Sequence, residues 1–251
     1  MSPSERSRRG LIFRPFSLLY FAFLLFWLML IIPFAVLFLR GLLVRGLGLP
    51  PEMVGGFLLL SLLGSFVNIP VWELRSRVPM FRYREVNFFG VTWLVPRMDT
   101  RVRRTLVTLN VGGGLVPLLV STYILSWAIP HSARDPLSAY GKTLLVFAVV
   151  SVAVNRTSRL VQGLGIATPA FVPPTVTALA TVLVYGVGAP SSPTQLAYVG
   201  GTLGTLVGAD LMNLGKLPQL GAPVVSIGGA GTFDGIYTTG LVSVLLVLLL
   251  L

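Results

Sequence analysis

The chain has 251 residues, 54% of them hydrophobic and 11% charged, against roughly 25% charged residues in an ordinary soluble domain. Its mean hydropathy is +0.85, and apolar runs near the length that crosses a ~30 Å hydrocarbon layer recur along it, which excludes a soluble globular domain. The runs are continuous rather than alternating, so a β-barrel is excluded too, and the net charge of +11 is matched to loops facing anionic lipid headgroups rather than to a nucleic-acid partner.

Taken in chain order, seven apolar runs predict membrane-spanning helices at about 17–39, 53–72, 105–129, 138–154, 165–187, 194–213 and 222–250. The first is too long for a signal-peptide core and lacks a small-residue cleavage site, so it is read as a retained anchor. Prolines and glycines punctuate most gaps, as in "GLGLPPE", "IPHSARDPLS" and "GVGAPSSP". The fold class is therefore an all-α polytopic membrane protein of about seven transmembrane helices, forming a single domain over 1–251. With the N-terminus inside, fifteen Lys and Arg fall on the inner side and four (Arg40, Arg45, Arg134 and Lys142) on the outer. That asymmetry predicts an N-in, C-out, multi-pass protein of a cytoplasmic (inner) membrane, with the lipid bilayer as its first partner.

The stretch "FRYREVNFFGVTWLVPR", 81–97, differs from the rest. Aromatic and β-branched residues alternate with charges around a central Gly90, which predicts a short β-hairpin or interfacial segment on the cytoplasmic side. An edge that receives an extended peptide is the functional alternative there.

Candidate chemistry is limited by what the chain lacks. There is no cysteine and a single histidine, His131, in a loop. Thiol nucleophiles and His-dependent triads drop out, no metal site is expected, and no cofactor is implied. His131 is read as an ordinary loop residue. What stands out is two acids in apolar surroundings: Asp210 in "TLVGADLMNL" and Asp234 in "SIGGAGTFDG". Ionisable side chains in hydrocarbon are expensive and tend to mark functional paths. The sixth run travels inward and the seventh back outward through the short loop "LGKLPQLG", so both acids fall in the inner half of neighbouring antiparallel helices. Asp234 is placed about a dozen residues into the last run.

Glycines around Asp234, including Gly229 and Gly231, leave room for a second helix and for unwound backbone. Pro169, with Pro173 and Pro174, predicts a kinked fifth helix beside the acids. Asn68, Asn110 and Thr232 complete the candidate cavity. The bland alternatives stay beside these readings: Asp210 snorkelling from a helix end, the glycines as plain packing, and Asn68, Asn110 and Asn155 as interhelical hydrogen-bond glue.

The stretches "NRTSRLVQGLGIATPAFVPP", "GADLMNL" and "SIGGAGTFDGIYTTG" resemble the signature stretches of the DUF1614 family of prokaryotic membrane proteins, over about the C-terminal 100 residues. That resemblance implies a polytopic membrane protein and no settled activity. A looser one is to the GxGD-type intramembrane aspartyl proteases, the presenilin and signal peptide peptidase class. These place one aspartate on an inward sixth span and another in a Gly-rich motif on the outward seventh, the order that Asp210 and Asp234 follow. This chain departs from that pattern in reading Gly-Ala-Gly-Thr-Phe-Asp rather than Gly-x-Gly-Asp and in placing Ala209 where tyrosine is expected. The Pro-Ala-Leu motif is missing, with "PAF" at 169–171 its nearest match, on the wrong side of the aspartates.

Two functional expectations result. An intramembrane aspartyl hydrolase would use Asp210 and Asp234 as alternating general base and acid on a transmembrane peptide substrate. A proton- or ion-coupled transporter or channel would use Asp234 as an ion site, with Thr232, Thr238 and Asn110 around it and a homo-oligomer supplying the symmetry that a single chain lacks. A scaffold or lipid-interacting protein, with both acids structural, is the third option.

Overall fold

In a computed structural model, the described backbone comprises residues 15–88, 91–161, 165–220, 223–230 and 234–251, with side chains left out for 15–20, 76–103 and 218–220. The protein is mostly helical, with a small sheet at one end of the helices. Each of the seven apolar runs holds a helix, but several helices are shorter than their runs.

Helix α1 (Pro15–Gly41) continues as a π-helical turn over Leu42–Gly46. Its large side chains from Phe21 to Phe38 are exposed all round. Burial begins at Leu42 and Leu43, where the turn meets the rest of the protein. Helix α2 (Pro51–Gly64) opens with Pro51 at its first position, where the missing N–H costs nothing. The run at 53–72 then leaves the helix. Strand β1 (Asn68–Phe88) pairs antiparallel with β2 (Val91–Asn110), in register from Asn68 opposite Asn110 to Phe88 opposite Val91. The hairpin expected at 81–97 is thus far longer than its charged tip; Gly90, the expected turn residue, lies outside the described residues.

From Val111 the chain is helical again, through a π turn (Val111–Leu115), α3 (Val116–Tyr123), a second π turn (Ile124–Ala128) and α4 (Ile129–Ser132). Helix α5 (Pro136–Thr157) follows, capped by Asp135, whose side chain accepts from the Leu137 N–H at 3.1 Å. Phe21–Gly46, Val111–Ser132 and Pro136–Thr157 are long and apolar enough to cross a membrane. A small hairpin, β3 (Arg159–Val161) with β4 (Gly165–Ala167), leads into α6 (Val172–Tyr185). Pro173 and Pro174 sit in the first turn of α6 and start the helix rather than kink it.

Helix α7 (Pro193–Thr205) is the centre of the bundle: all its residues except Pro193 and Leu203 are buried. Gly200, Gly204 and Gly208 form a stripe against α5. A Cβ at Gly200 would come within 2.5 Å of Val146 Cγ1, and one at Gly204 within 2.7 Å of Val150 Cβ. Only glycine admits this approach. On the far side, Gly201 faces Thr177 of α6 and Ser243 on the last helix, and Gly240 admits Thr202 and Tyr198. Beyond Thr205 the helix loosens into a π turn (Leu206–Asp210) and a 3₁₀ segment (Leu211–Leu220).

Strand β5 (Val224–Ile227) then adds to the sheet in parallel with β2, Leu106 opposite Val224 and Leu109 opposite Ile227, giving the order β1-β2-β5. Helix α8 (Gly235–Leu250) closes the described chain. The run at 222–250 is therefore strand, turn and a 16-residue helix, because Gly228, Gly229, Gly231, Asp234 and Gly235 separate two apolar stretches. At the opposite end of the bundle, buried Lys142 ties α5 to the α6–α7 connection. Its Nζ donates to the carbonyls of Ala189 (2.8 Å) and Tyr185 (3.2 Å) and to Ser191 Oγ (3.3 Å).

Candidate functional site

Asp210 and Asp234 lie together. Both line a cavity of about 350 Å³, walled by β5 (Val224, Val225, Ser226), by Gly228, Gly229 and Ala230, and by Gly165 and Ile166 of the small hairpin. Both also line an adjoining cavity of about 290 Å³, walled by Thr168, Pro169 and Pro173, by Thr205 and Ala209, and by Gly235 and Ile236.

The two acids are held in different ways. Asp234 is the N-cap of α8: its backbone is extended and its Oδ1 accepts the Ile236 N–H at 2.9 Å. The free N–H groups and positive end of that helix favour a carboxylate there. It therefore stands at a helix start, not a dozen residues inside a span. Asp210 ends the π turn that follows α7. Among the described residues, no hydrogen bond to its carboxylate is found.

A π turn leaves carbonyls out of the regular α ladder, and such turns gather at functional sites. Here the Asn155 side-chain amide donates to the Gly208 carbonyl at 3.1 Å, and that of Asn213 to the Ala209 carbonyl at 2.8 Å. Lys216 Nζ donates to Asn213 Oδ1 at 2.8 Å. These contacts fix the backbone that carries Asp210 without neutralising the acid.

The glycines also have distinct tasks. Gly228 has φ +70°, and a Cβ there would lie 2.5 Å from the Gly114 N. The turn after β5 is thus pressed onto the triple glycine that opens the third helical rod, with a backbone that side-chain-bearing residues rarely adopt.

Of the other expected residues, Pro169 and Gly229 line the aspartate cavities. Gly231 and Thr232 lie outside the described residues. Asn68 and Asn110 are drawn into a network at the base of the long hairpin. Asn110 Nδ2 donates to the Ser65 carbonyl (2.8 Å) and to Asn68 Oδ1 (3.2 Å), and Asn110 Oδ1 accepts the Gly113 N–H (2.9 Å). Ser226 Oγ donates to the same Asn68 oxygen. Neither asparagine is among the residues lining the two cavities; they hold β5 in register, and β5 forms the wall. His131 lies within α4 rather than in a loop, stacks on Trp127 with ring centroids 4.0 Å apart, and lines neither cavity.

Sequence reasoning missed Ser226, Ile166 and Thr205. Thr205 is buried, and its hydroxyl has no hydrogen-bond partner among the described residues. Its position in "GTLVGAD", on the helix that leads to Asp210, was the available signal. No curated protein and no solved structure matches the chain. The family model described as "Protein of unknown function (DUF1614)" matches residues 62–246, well beyond the C-terminal stretches that suggested it, and the chain belongs to that family.

Proposed function

We propose that this protein is a membrane-embedded aspartyl hydrolase acting on an extended segment of a membrane-anchored peptide, with Asp210 and Asp234 as its acid–base pair. In this reading the chain crosses a cytoplasmic membrane as a multi-pass protein, N-terminus inside, with the sheet and both acids toward the inner face. The charge asymmetry of the sequence supports that orientation. The observation that carries the chemistry is the convergence of both carboxylates on the wall between two cavities. β5 lies alongside, at the edge of its sheet. Two carboxylates sharing such a space resist double ionisation, so one keeps a proton. The ionised one takes a proton from water as its oxygen attacks the peptide carbonyl, while the protonated one supports the forming oxyanion. Collapse of the tetrahedral carbon then breaks the C–N bond, and the amine leaves with a proton from the acid member. The edge of β5 away from β2, unpaired among the described strands, offers N–H and C=O groups to an extended substrate strand.

The test is cleavage of single-span reporter peptides co-reconstituted with the full chain, read by mass spectrometry. Asp234→Asn preserves the helix cap, since Asn caps as well as Asp, so its loss of rate reports chemistry rather than folding. Turnover should fall by about 10²- to 10⁴-fold for Asp210→Asn and Asp234→Asn alike. Full turnover in either variant would remove the pair from the mechanism.

A second reading, a proton- or ion-coupled transporter with Asp234 at the ion site, is favoured by one observation. The hydroxyls of Thr205, Thr202 and Thr181 are buried without hydrogen-bond partners among the described residues. They leave polar groups along α6 and α7, starting from Thr205 in the wall of the smaller aspartate cavity. Uptake driven by a pH gradient, lost in Asp234→Asn and unaccompanied by cleavage, would select it.

A further inference from the structure

The "NRTSR" motif takes no part in the acid–base chemistry, yet it forms a site of its own. A cavity of about 590 Å³ opens at the end of α5, lined by Arg156, Thr157 and Arg159 on one side and by Ala167, Thr168 and Pro169 on the other. The hydroxyls here are already engaged. Thr157 Oγ1 donates to the Ala153 carbonyl (2.9 Å), and Ser158 Oγ donates to the Val154 carbonyl (2.7 Å). Ser158 Oγ is thereby left to accept from Thr168 Oγ1 at 2.7 Å. The charged residues of the lining are Arg156 and Arg159. Both are exposed, and the ion pairs found among the described residues all involve Glu73, with Arg75 and Arg104. A pair of unneutralised guanidiniums matches the oxygens of a phosphate group. The apolar part of the wall, Val161, Ala167 and Pro169, suits glycerol and acyl carbons better than a free ion.

We propose that this cavity holds the headgroup phosphate of an anionic phospholipid, gripped by Arg156 and Arg159. Ala167, Thr168 and Pro169 are shared between this cavity and the smaller aspartate cavity. A bound lipid therefore sits one stretch of backbone away from the two acids, against the segment that joins β4 to α6. The binding site stands independently of the chemistry assigned to those acids.

The test is titration of the purified full chain in detergent with dioctanoyl phosphatidylglycerol, dioctanoyl phosphatidylcholine or inorganic phosphate, with bound molecules counted by native mass spectrometry. Arg156→Gln/Arg159→Gln should weaken phosphatidylglycerol binding by about 10- to 30-fold, from roughly one unit of surface charge interaction per arginine. The control is Arg40→Gln/Arg45→Gln, a second arginine pair lining another cavity, which should leave that binding within about two-fold. Both pairs are at the surface, and retention of a monodisperse, folded protein is checked by size exclusion and circular dichroism. Equal binding of the two lipids by the unmodified protein, or equal effects of the two arginine pairs, overturns the proposal. Displacement of the lipid by inorganic phosphate at equal concentration assigns the site to free phosphate and overturns it as well.

Discussion

Helices α1 and α7 are both apolar rods, yet they solve opposite problems. α1 is built from Phe, Leu, Ile, Trp and Met and buries almost nothing between Phe21 and Phe38. α7 is made largely of Gly, Thr, Ala and Val and buries nearly everything. Large side chains suit a helix whose neighbours are acyl chains, because lipid conforms to any surface. Small ones suit a helix that must admit three others, because dispersion and close backbone approach replace the hydrophobic drive between helices in a bilayer. Hydropathy alone therefore ranks the two helices in the reverse order of their importance to the packed core.

The comparison can be broken by substitution. Gly204→Leu in α7 has the largest expected effect: a whole side chain would be forced into a site where even a Cβ lies 2.7 Å from Val150. A loss of about 3 kcal/mol or more is expected, read as a fall in the denaturant midpoint in mixed micelles. Gly228→Ala ranks next, since φ +70° and the contact with Gly114 act together. About 1–3 kcal/mol is expected, and the accompanying loss of β5 register should be visible as faster amide exchange at Val225 and Ile227. Leu30→Ala in α1 has the smallest effect, within about 0.5 kcal/mol. A loss above 1 kcal/mol there would show that α1 is covered by protein, a second copy of the chain first among the candidates, and the contrast with α7 would fall.

The sequence made the helices legible and the strands hard to see. Ile69–Leu74 is apolar apart from Glu73, and Leu106–Leu109 apart from Thr108; a short apolar run bordering a longer one cannot be told from the end of a helix by periodicity. Only the charged tip of the hairpin showed alternation, so only the tip was assigned. Val224–Ile227 is a strand because β2 lies beside it, more than 100 residues earlier in the chain, and no local signal carries that. The two acids were legible from burial cost alone. The cap role of Asp234 was readable in principle, as an Asp directly before an apolar run, but the apolar residues on its other side masked the helix start. Asn68 and Asn110 looked like separate polar intrusions into two spans; they are one cross-strand pair.

One further consequence lies in the lengths of α6 and α8. At 14 and 16 residues and ~1.5 Å per residue, they reach roughly 21 and 24 Å, against a hydrocarbon thickness of ~30 Å. In the multi-pass topology proposed above, interior rods shorter than the membrane impose hydrophobic mismatch around them, to which a bilayer responds by thinning locally. Asp234 caps the start of α8, and Pro173 in the first turn of α6 lines a cavity with both aspartates, so thinning at that end would bring the water boundary toward them. In that topology helix length helps to set the depth of the carboxylates beneath the water boundary, and short helices bring water toward a pair of acids that the sequence places in apolar surroundings.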